Sequence, residues 1–309
     1  MEYTTNYRVT GHESFACRYA WLPKVAYHLR RDDRLLGDES RAMVELGVGK
    51  NMVRSIRFWA QSSGITTAEG NGRHTLTDFA TTLLDEGGLD LYLEDIRTLW
   101  LLHWNLSTNR HAPLLAWDYL INNWHEPEIT PSRVVAVLTK ETAKQGGNLS
   151  PSTITQHFEA FLHTYVPTRG RKGEIQEDNL DCPLVELEFI MPQGERQPVG
   201  TNGTREVIYS FNRDWKPEIS EELFIYSLND FWEGRHAEEA ILSLREVAHG
   251  HGSPGQVFKL PEADVRVRLE ALNKDSDGVF SYAESLTLQQ VRKLKRCRER
   301  DLLKRIYRR

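Results

Sequence analysis

Cysteine is scarce in this 309-residue sequence, and the three present, Cys17, Cys182 and Cys297, lie far apart and form no C-x-x-C pair. A disulfide framework and a zinc ribbon are excluded, leaving reduced core thiols as the expectation. Long apolar runs are missing too. The longest, Leu99-Trp100-Leu101-Leu102, falls far short of the roughly 18 residues that a membrane-spanning helix needs. The opening residues, MEYTTNYRVTGHES, have neither a basic n-region nor an apolar h-region, so a cytoplasmic protein with no membrane partner is expected. Nor does the chain have the aromatic poverty and high net charge of a disordered one. It carries 8 Trp, 11 Tyr and 11 Phe at a formal charge of only -5, enough to build sizeable cores.

The near-neutral total argues against a nucleic-acid partner until it is resolved along the chain. Thr287 to Arg309 holds ten basic and two acidic residues, a net +8, so the preceding 286 residues carry -13. Opposite charge on two parts of one chain is a hint of contact with nucleic acid. A basic segment docked on the acidic body gives the same asymmetry, and the two readings are compatible.

Patterning predicts a mainly α fold with small β wings or hairpins, built from winged-helix-like units and a C-terminal basic helical region. Three segments are expected: residues 1–125 with a helix-turn-helix, 126–215 as a second winged-helix-like unit with strands, and 216–309, helical and ending in a basic helix. In the first, an apolar helix ends near Leu46, glycines at 47 and 49 make a tight turn, and a second helix begins near Asn51, which is placed to cap it. Met52, Val53, Ile56, Trp59 and Ala60 recur at helical spacing and face a core, while Lys50, Arg54, Arg57 and Gln61 share the opposite face. Ile65–Thr67 and Arg73–Leu76 read as the strands of a wing, and Thr77 starts another helix. Thr130-Pro131 and Ser150-Pro151 each mark a helix start by setting a capping hydroxyl before a proline. The helix from Pro151 turns Ser152, Thr153, Gln156 and His157 outward near its N-terminus, as a recognition helix would. Arg169 to Asp181 reads as a charged loop, Pro183 to Met191 as a strand, and residues 193–205 as a hairpin or linker before a strand at Glu206–Phe211. In the tail, Leu288, Val291, Leu294, Leu302, Leu303 and Ile306 read as a broken apolar helical stripe.

Several phrases resemble the SspB family, found beside bacterial DNA phosphorothioation genes. They are Gly11-His12-Glu13-Ser14-Phe15 with Arg18-Tyr19-Ala20-Trp21-Leu22, then Glu45 to Arg54 (ELGVGKNMVR), Leu93-Glu94-Asp95 with Leu99 to Trp104, Pro183-Leu184, and Asp277-Gly278-Val279-Phe280 leading to Gln289-Gln290-Val291-Arg292. The phrase ELGVGKNMVRSIRFWA is the most specific. The resemblance implies a DNA-nicking component of single-stranded phosphorothioate modification and anti-phage defence. It also implies work alongside a cysteine desulfurase, an ATP-pyrophosphatase-like protein and an ATPase. A homodimer is a further possible assembly.

Read for chemistry, the face of Lys50, Asn51, Arg54, Arg57 and Gln61 offers amide donors and cations to phosphate oxygens. A solvated helix face would have the same composition. In the tail, Arg292, Lys293, Lys295 and Arg296 are the candidate DNA contacts. Gly47-Val48-Gly49-Lys50 fails as a phosphate loop, because Val44 stands at the first glycine position and Asn51 replaces the magnesium-binding Ser or Thr. Asn273 to Glu284 has the spacing of a 12-residue calcium loop with Asn at position 1, and also reads as an Asx-rich turn. Joined to the resemblance, it makes Asp275, Asp277 and Glu284 candidate ligands of a divalent cation, magnesium or manganese, and candidate catalytic residues for phosphodiester hydrolysis. His12-Glu13 reads as acid/base chemistry or as a helix cap. His249-Gly250-His251 lacks further zinc ligands and reads as a loop. Neither G-x-S-x-G nor a P-D...E-x-K nuclease pattern is present; Asp181, Glu186 and Glu188 lack the following lysine. A DNA nickase is thus one expectation, and a non-catalytic DNA-binding adaptor or transcriptional regulator is the other.

Overall fold

Two helix-helix-hairpin units position the candidate site residues. The computed structural model describes residues 7–144, 146, 149–167, 182–197, 205–285 and 288–308. Helix α1 (Trp21–Leu29) and a 3₁₀ turn (Leu35–Gly37) precede the first unit. There, α2 (Glu39–Leu46) starts on Asp38, whose side chain accepts from Arg41 N, and stops at Gly47, whose φ of 67° is left-handed and favours glycine. Two residues on, Gly49 caps α3 (Lys50–Ser62) without a side-chain hydrogen bond, so Asn51 lies inside the helix and is not its cap. Val53, Ile56, Trp59 and Ala60 are buried as the spacing predicts, and Met52 is half-buried. Strands β1 (Thr66–Gly70) and β2 (Arg73–Leu76) form the expected antiparallel hairpin, and Thr77 caps α4 (Asp78–Leu84).

Helices α5 (Ile96–Thr108) and α6 (Leu115–Asn122) lead into the second unit. It comprises α7 (Pro131–Lys144), α8 (Pro151–Tyr165), β3 (Ile190–Arg196) and β4 (Glu206–Phe211). Both proline-marked helix starts are observed. A strand over Pro183–Met191 is not. Pro183–Leu187 is a 3₁₀ helix that buries Leu184 and Leu187 three residues apart, and pairing begins only at Ile190. The charged loop expected over Arg169–Asp181 lies outside the described residues, as do residues 198–204 of the expected hairpin or linker.

After α9 (Glu221–Arg235) the chain departs most from its sequence pattern. Short helices α10 (Leu244–His249) and α11 (Pro254–Val257), then α12 (Glu262–Asp275), are interleaved with β5 (Ile241–Ser243), β6 (Phe280–Glu284) and β7 (Gln289–Lys293). These strands form an antiparallel sheet in the order β5-β7-β6, with Leu242, Val291 and Tyr282 aligned and buried across it. A continuous basic helix is therefore replaced by a strand and the short helix α13 (Glu299–Ile306). Leu302, Leu303 and Ile306 are buried, whereas Leu288 and Leu294, placed by spacing in the same apolar stripe, are exposed.

Buried residues from Val9 to Ile306 form one contiguous cluster through all three expected segments. At its centre, His103 on α5 accepts from Tyr165 OH of α8 at 2.8 Å and donates to Val257 O of α11 at 3.0 Å. Tyr165 OH in turn accepts from Trp117 Nε1 of α6 at 2.9 Å. Burial pushes His103 down to about 3, so the ring is neutral and the knot carries no charge. Cys17 and Cys182 are buried free thiols and Cys297 is half-buried. Among the described residues no helix is long and apolar enough to cross a membrane.

Candidate nucleic-acid interface

The outward face of α3 is cationic and organised around one carboxylate. Glu39, at the start of α2, receives Arg54 Nε at 2.7 Å, Lys50 Nζ at 3.3 Å and Arg57 at 4.0 Å. Hydrogen bonding from Arg54 outweighs the cost of burial and, with Lys50, lowers the Glu39 pKa; the same contact raises that of Arg54. Three cations on one anion leave the face net positive. Arg57 also donates to Leu36 O at 3.2 Å, and Gln61 accepts from Arg8 at 3.0 Å. The four side chains placed on one face by their spacing do share it, held in position by the turn before α2 and by the N-terminal segment.

The second helix start comes to the same place. Asn51 of α3 and Thr153 and Gln156 of α8 line one cavity of about 450 Å³, closed on its third side by residues 9–14. That segment bends sharply: Gly11, Glu13 and Ser14 have φ of 108°, 50° and 64°, and Ser14 N donates to His12 Nδ1 at 3.1 Å. At Gly11 a Cβ would lie 3.1 Å from the Phe58 ring, so glycine allows close approach to α3. Ser150 caps α8 by accepting from Thr153 N at 3.1 Å, and Ser152 and Gln156 are exposed. His157 is not on this outer surface. It is fully buried, accepts from Ala116 N at 3.1 Å, and is pushed down to about 3 by burial, so it packs the core and does not meet a ligand.

The basic tail divides into free and engaged cations. Arg292 on β7 and Lys295 and Arg296 after it are exposed. Lys293 instead donates to Asn229 Oδ1 at 2.7 Å and Glu233 Oε1 at 2.5 Å, pinning β7 to α9. Arg305 pairs with Asp277 at 2.9 Å and donates to Asp275 O at 2.5 Å.

That pairing bears on the cation loop. Asn273, the first position, spends its side chain on Tyr282, accepting from N at 3.1 Å and donating to O at 3.0 Å. Glu284 lies at the far end of β6, where Tyr282 OH and Gln289 Nε2 donate to it at 2.9 Å and Arg266 pairs with it at 3.4 Å. The four residue steps along β6 carry it about 13 Å from the strand's start, at about 3.3 Å per residue. Asp275, Asp277 and Glu284 therefore do not converge, and among the described residues no three His, Cys, Asp or Glu side chains are grouped to hold a metal. The loop is a turn between helix and strand, not the expected cation site.

Residues 9–307 match the family model described as a protein of unknown function (DUF4007). The chain belongs to the DUF4007 family. Its fold is similar to a magnesium ion-bound SspB crystal structure, with a TM-score of 0.79 at 26% identity over 96% of this chain and 85% of that one. It is similar also to an SspB crystal structure, with a TM-score of 0.78 at 25% identity over 98% and 88% of the two chains. Among curated proteins no significant match is found. The resemblance read from the ELGVGKNMVRSIRFWA phrase is thus shown, and this DUF4007 chain is SspB-like.

Sequence reasoning missed Glu39, Arg8 and the partners of His251. Glu39 stands three residues before the first apolar position of its helix, where an acid reads as an ordinary complement to the helix dipole. His251 is not in a free loop: its Nε2 lies 3.1 Å from Asp118 Oδ1, a contact across 133 positions that no local pattern reveals.

Proposed function

We propose that this SspB-like protein binds duplex DNA and nicks one strand, as a component of bacterial DNA phosphorothioate modification and anti-phage defence. The observation that carries the binding claim is the meeting of two helix starts. Asn51 of α3 and Thr153 and Gln156 of α8 line one cavity beside the cationic face of Lys50, Arg54, Arg57 and Gln61. Each helix belongs to a helix-helix-hairpin unit, and we read both as winged-helix modules, with α3 and α8 as recognition helices and Ser152 at the second helix start. Arg292, Lys295 and Arg296 extend the contact to phosphates farther along the duplex. A cysteine desulfurase, an ATP-pyrophosphatase-like protein and an ATPase are the partners the SspB resemblance implies.

One SspB structure similar to this chain was solved with magnesium, and a divalent cation, magnesium or manganese, would stabilise charge on a cleaved phosphodiester. Asp275, Asp277 and Glu284 are not arranged to hold it, so no step is assigned to them. A second reading, a DNA-binding adaptor without catalysis, is favoured by the engagement of Asp277 by Arg305 and of Glu284 by Arg266. Supercoiled plasmid incubated with the full chain in magnesium, manganese or chelator separates the two. Conversion to open circle in metal supports the nickase, and binding with no conversion in any buffer supports the adaptor.

A further inference from the structure

Two cavities that share lining residues bring an unassigned group of side chains near the end of α3. Arg8, Gln61 and Thr67 of the first hairpin line a cavity of about 630 Å³. Thr108, Asn109 and Arg110 line it too, and they also line a second cavity of about 740 Å³. The second contains Tyr7, Asp118, Arg235 and His251.

Asp118, on α6, is 12% exposed and engaged at both carboxylate oxygens. Tyr7 OH donates to Oδ2 at 2.7 Å, and His251 Nε2 lies 3.1 Å from Oδ1. Burial raises the Asp118 pKa, but the hydrogen bond and charge of His251, with Tyr7 and Arg235, bring it below the usual carboxylate range. The histidine is fixed from the other side as well. Gly252 N donates to Asn122 Oδ1 at 2.8 Å, and Asn122 Nδ2 donates to Asp118 O at 3.1 Å, so its loop is tied to the helix that carries its partner. With Nε2 turned to the carboxylate, the Nδ1 of this side chain, which is 39% exposed, is left free to accept a proton.

Two guanidinium groups share this cavity. Arg110 is held by Asp230 at 3.0 Å, while Arg235 has no carboxylate within ion-pair reach among the described residues. Burial and the charge of Arg110 lower the Arg235 pKa against the pull of Asp118, as for a cation awaiting an anion. A histidine ordered by a buried carboxylate, in one cavity with two guanidiniums and next to a second cavity that reaches the end of α3, suits a phosphodiester.

We propose that His251 is the general base that hydrolyses the phosphodiester, that Asp118 positions it, and that Arg110 and Arg235 take the non-bridging phosphate oxygens. This rests on the reading of the chain as a DNA-nicking protein. His251 Nδ1 accepts a proton from a water as the water oxygen bonds to phosphorus. The bond from phosphorus to one bridging oxygen breaks, that oxygen takes a proton from solvent, and His251 returns its own, leaving one phosphate end and one hydroxyl end.

The test uses the full chain, supercoiled plasmid and magnesium. His251→Gln and His251→Asn are expected to lose nicking by about 100-fold or more, with duplex affinity and thermal midpoint unchanged. Asp118→Asn is expected to lower kcat with KM and duplex affinity unchanged, because the imidazole loses the carboxylate that orients it; a purely structural pair would lower the thermal midpoint and leave the kcat of the folded variant in place. Arg235→Gln is expected to lower kcat/KM by about tenfold or more, and it reports even if a His251 variant does not fold. Folded His251 variants that nick at the wild-type rate, or an unchanged kcat/KM for Arg235→Gln, overturn this assignment and leave the nickase reading intact. Wild-type protein that binds duplex and never nicks overturns both.

Discussion

Arg54 Nε donates to Glu39 Oε1 at 2.7 Å across the turn that joins α2 to α3. Arg54 therefore already has an anionic partner in the free protein, and on the proposed function DNA has to compete with it. Glu39→Gln should release Arg54 and Lys50, raise duplex affinity, and steepen the slope of log K against log salt by about 0.9, the increment for one more neutralised phosphate. A salt titration followed by fluorescence anisotropy measures this. Weaker binding by the variant would instead make Glu39 an organiser of the face.

His103 and His157 predict an acid transition. Both are fully buried and pushed down to about 3, against an unfolded value near 6.5, so the native state binds fewer protons than the unfolded one between those limits. The stability they confer is complete above about pH 6.5 and falls as pH drops toward about 3; His12, His74 and His163, also lowered by burial, add to the slope in the same direction. Denaturant melts across that range should show it, and His157→Asn should lower the slope by up to about one proton. A slope unchanged in His157→Asn would show that this histidine is not the titrating group.

Lys259 predicts the opposite limb. Its side chain is buried, donates to Ile121 O and lies over the Phe211 ring, and burial brings its pKa from the ordinary 10.5 down to about 7. The unfolded state then binds more protons between about pH 7 and 10.5, so stability should rise with pH across that window. Lys259→Met should flatten the rise and stabilise the neutral-pH protein by an amount on the order of a few kcal/mol, read from urea melts. Lys216, lowered by burial to about 8, keeps part of the rise, and a variant whose rise is as steep as the wild type's would assign the whole effect elsewhere.

Gly37 sets the hairpin against the helix pair. A Cβ there would lie 2.3 Å from Gly72 O at the tip of the β1-β2 turn, and Arg73 pairs with Asp33 at 2.7 Å beside it. The atoms facing Gly37 belong to backbone, so Gly37→Ala must displace the turn. The melting temperature should fall by roughly 3 °C or more, and duplex affinity should fall with it if the hairpin acts as a wing. An unchanged melting temperature would mean that the turn moves freely.

Local chemistry made the helix pairs of both units, the first hairpin and β4 readable in the sequence, but not the start of β3. Gly47 needs a left-handed φ, Ser150 and Thr77 cap, and the spacing of Val53, Ile56, Trp59 and Ala60 fixes which side of α3 is buried. The C-terminal sheet was not readable because β5, β6 and β7 are three to five residues long, and pairing of Leu242 with Val291 depends on partners 49 positions apart. Leu288, Val291 and Leu294, three positions apart, read as a helical stripe, whereas in the structure Val291 alone is buried in the strand β7. The 273–284 spacing matched a cation loop, yet spacing does not fix direction: β6 carries Glu284 away from Asp277. His157 sat on the predicted outer face of α8, but its neighbour Ala116 draws it into the core. The Asp118–His251 contact, joining α6 to a loop before α11, leaves no periodic trace at all.

Docking of DNA on the α3 face is central to the proposed function, and its most direct measurement is the duplex affinity of Arg54→Glu/Arg57→Glu across a salt series, with thermal melts to confirm folding. The predicted result is affinity at least about tenfold weaker at low salt and a slope shallower by about 1.8, as expected when two phosphates are no longer neutralised. Wild-type affinity with an unchanged slope in the folded double variant would contradict it.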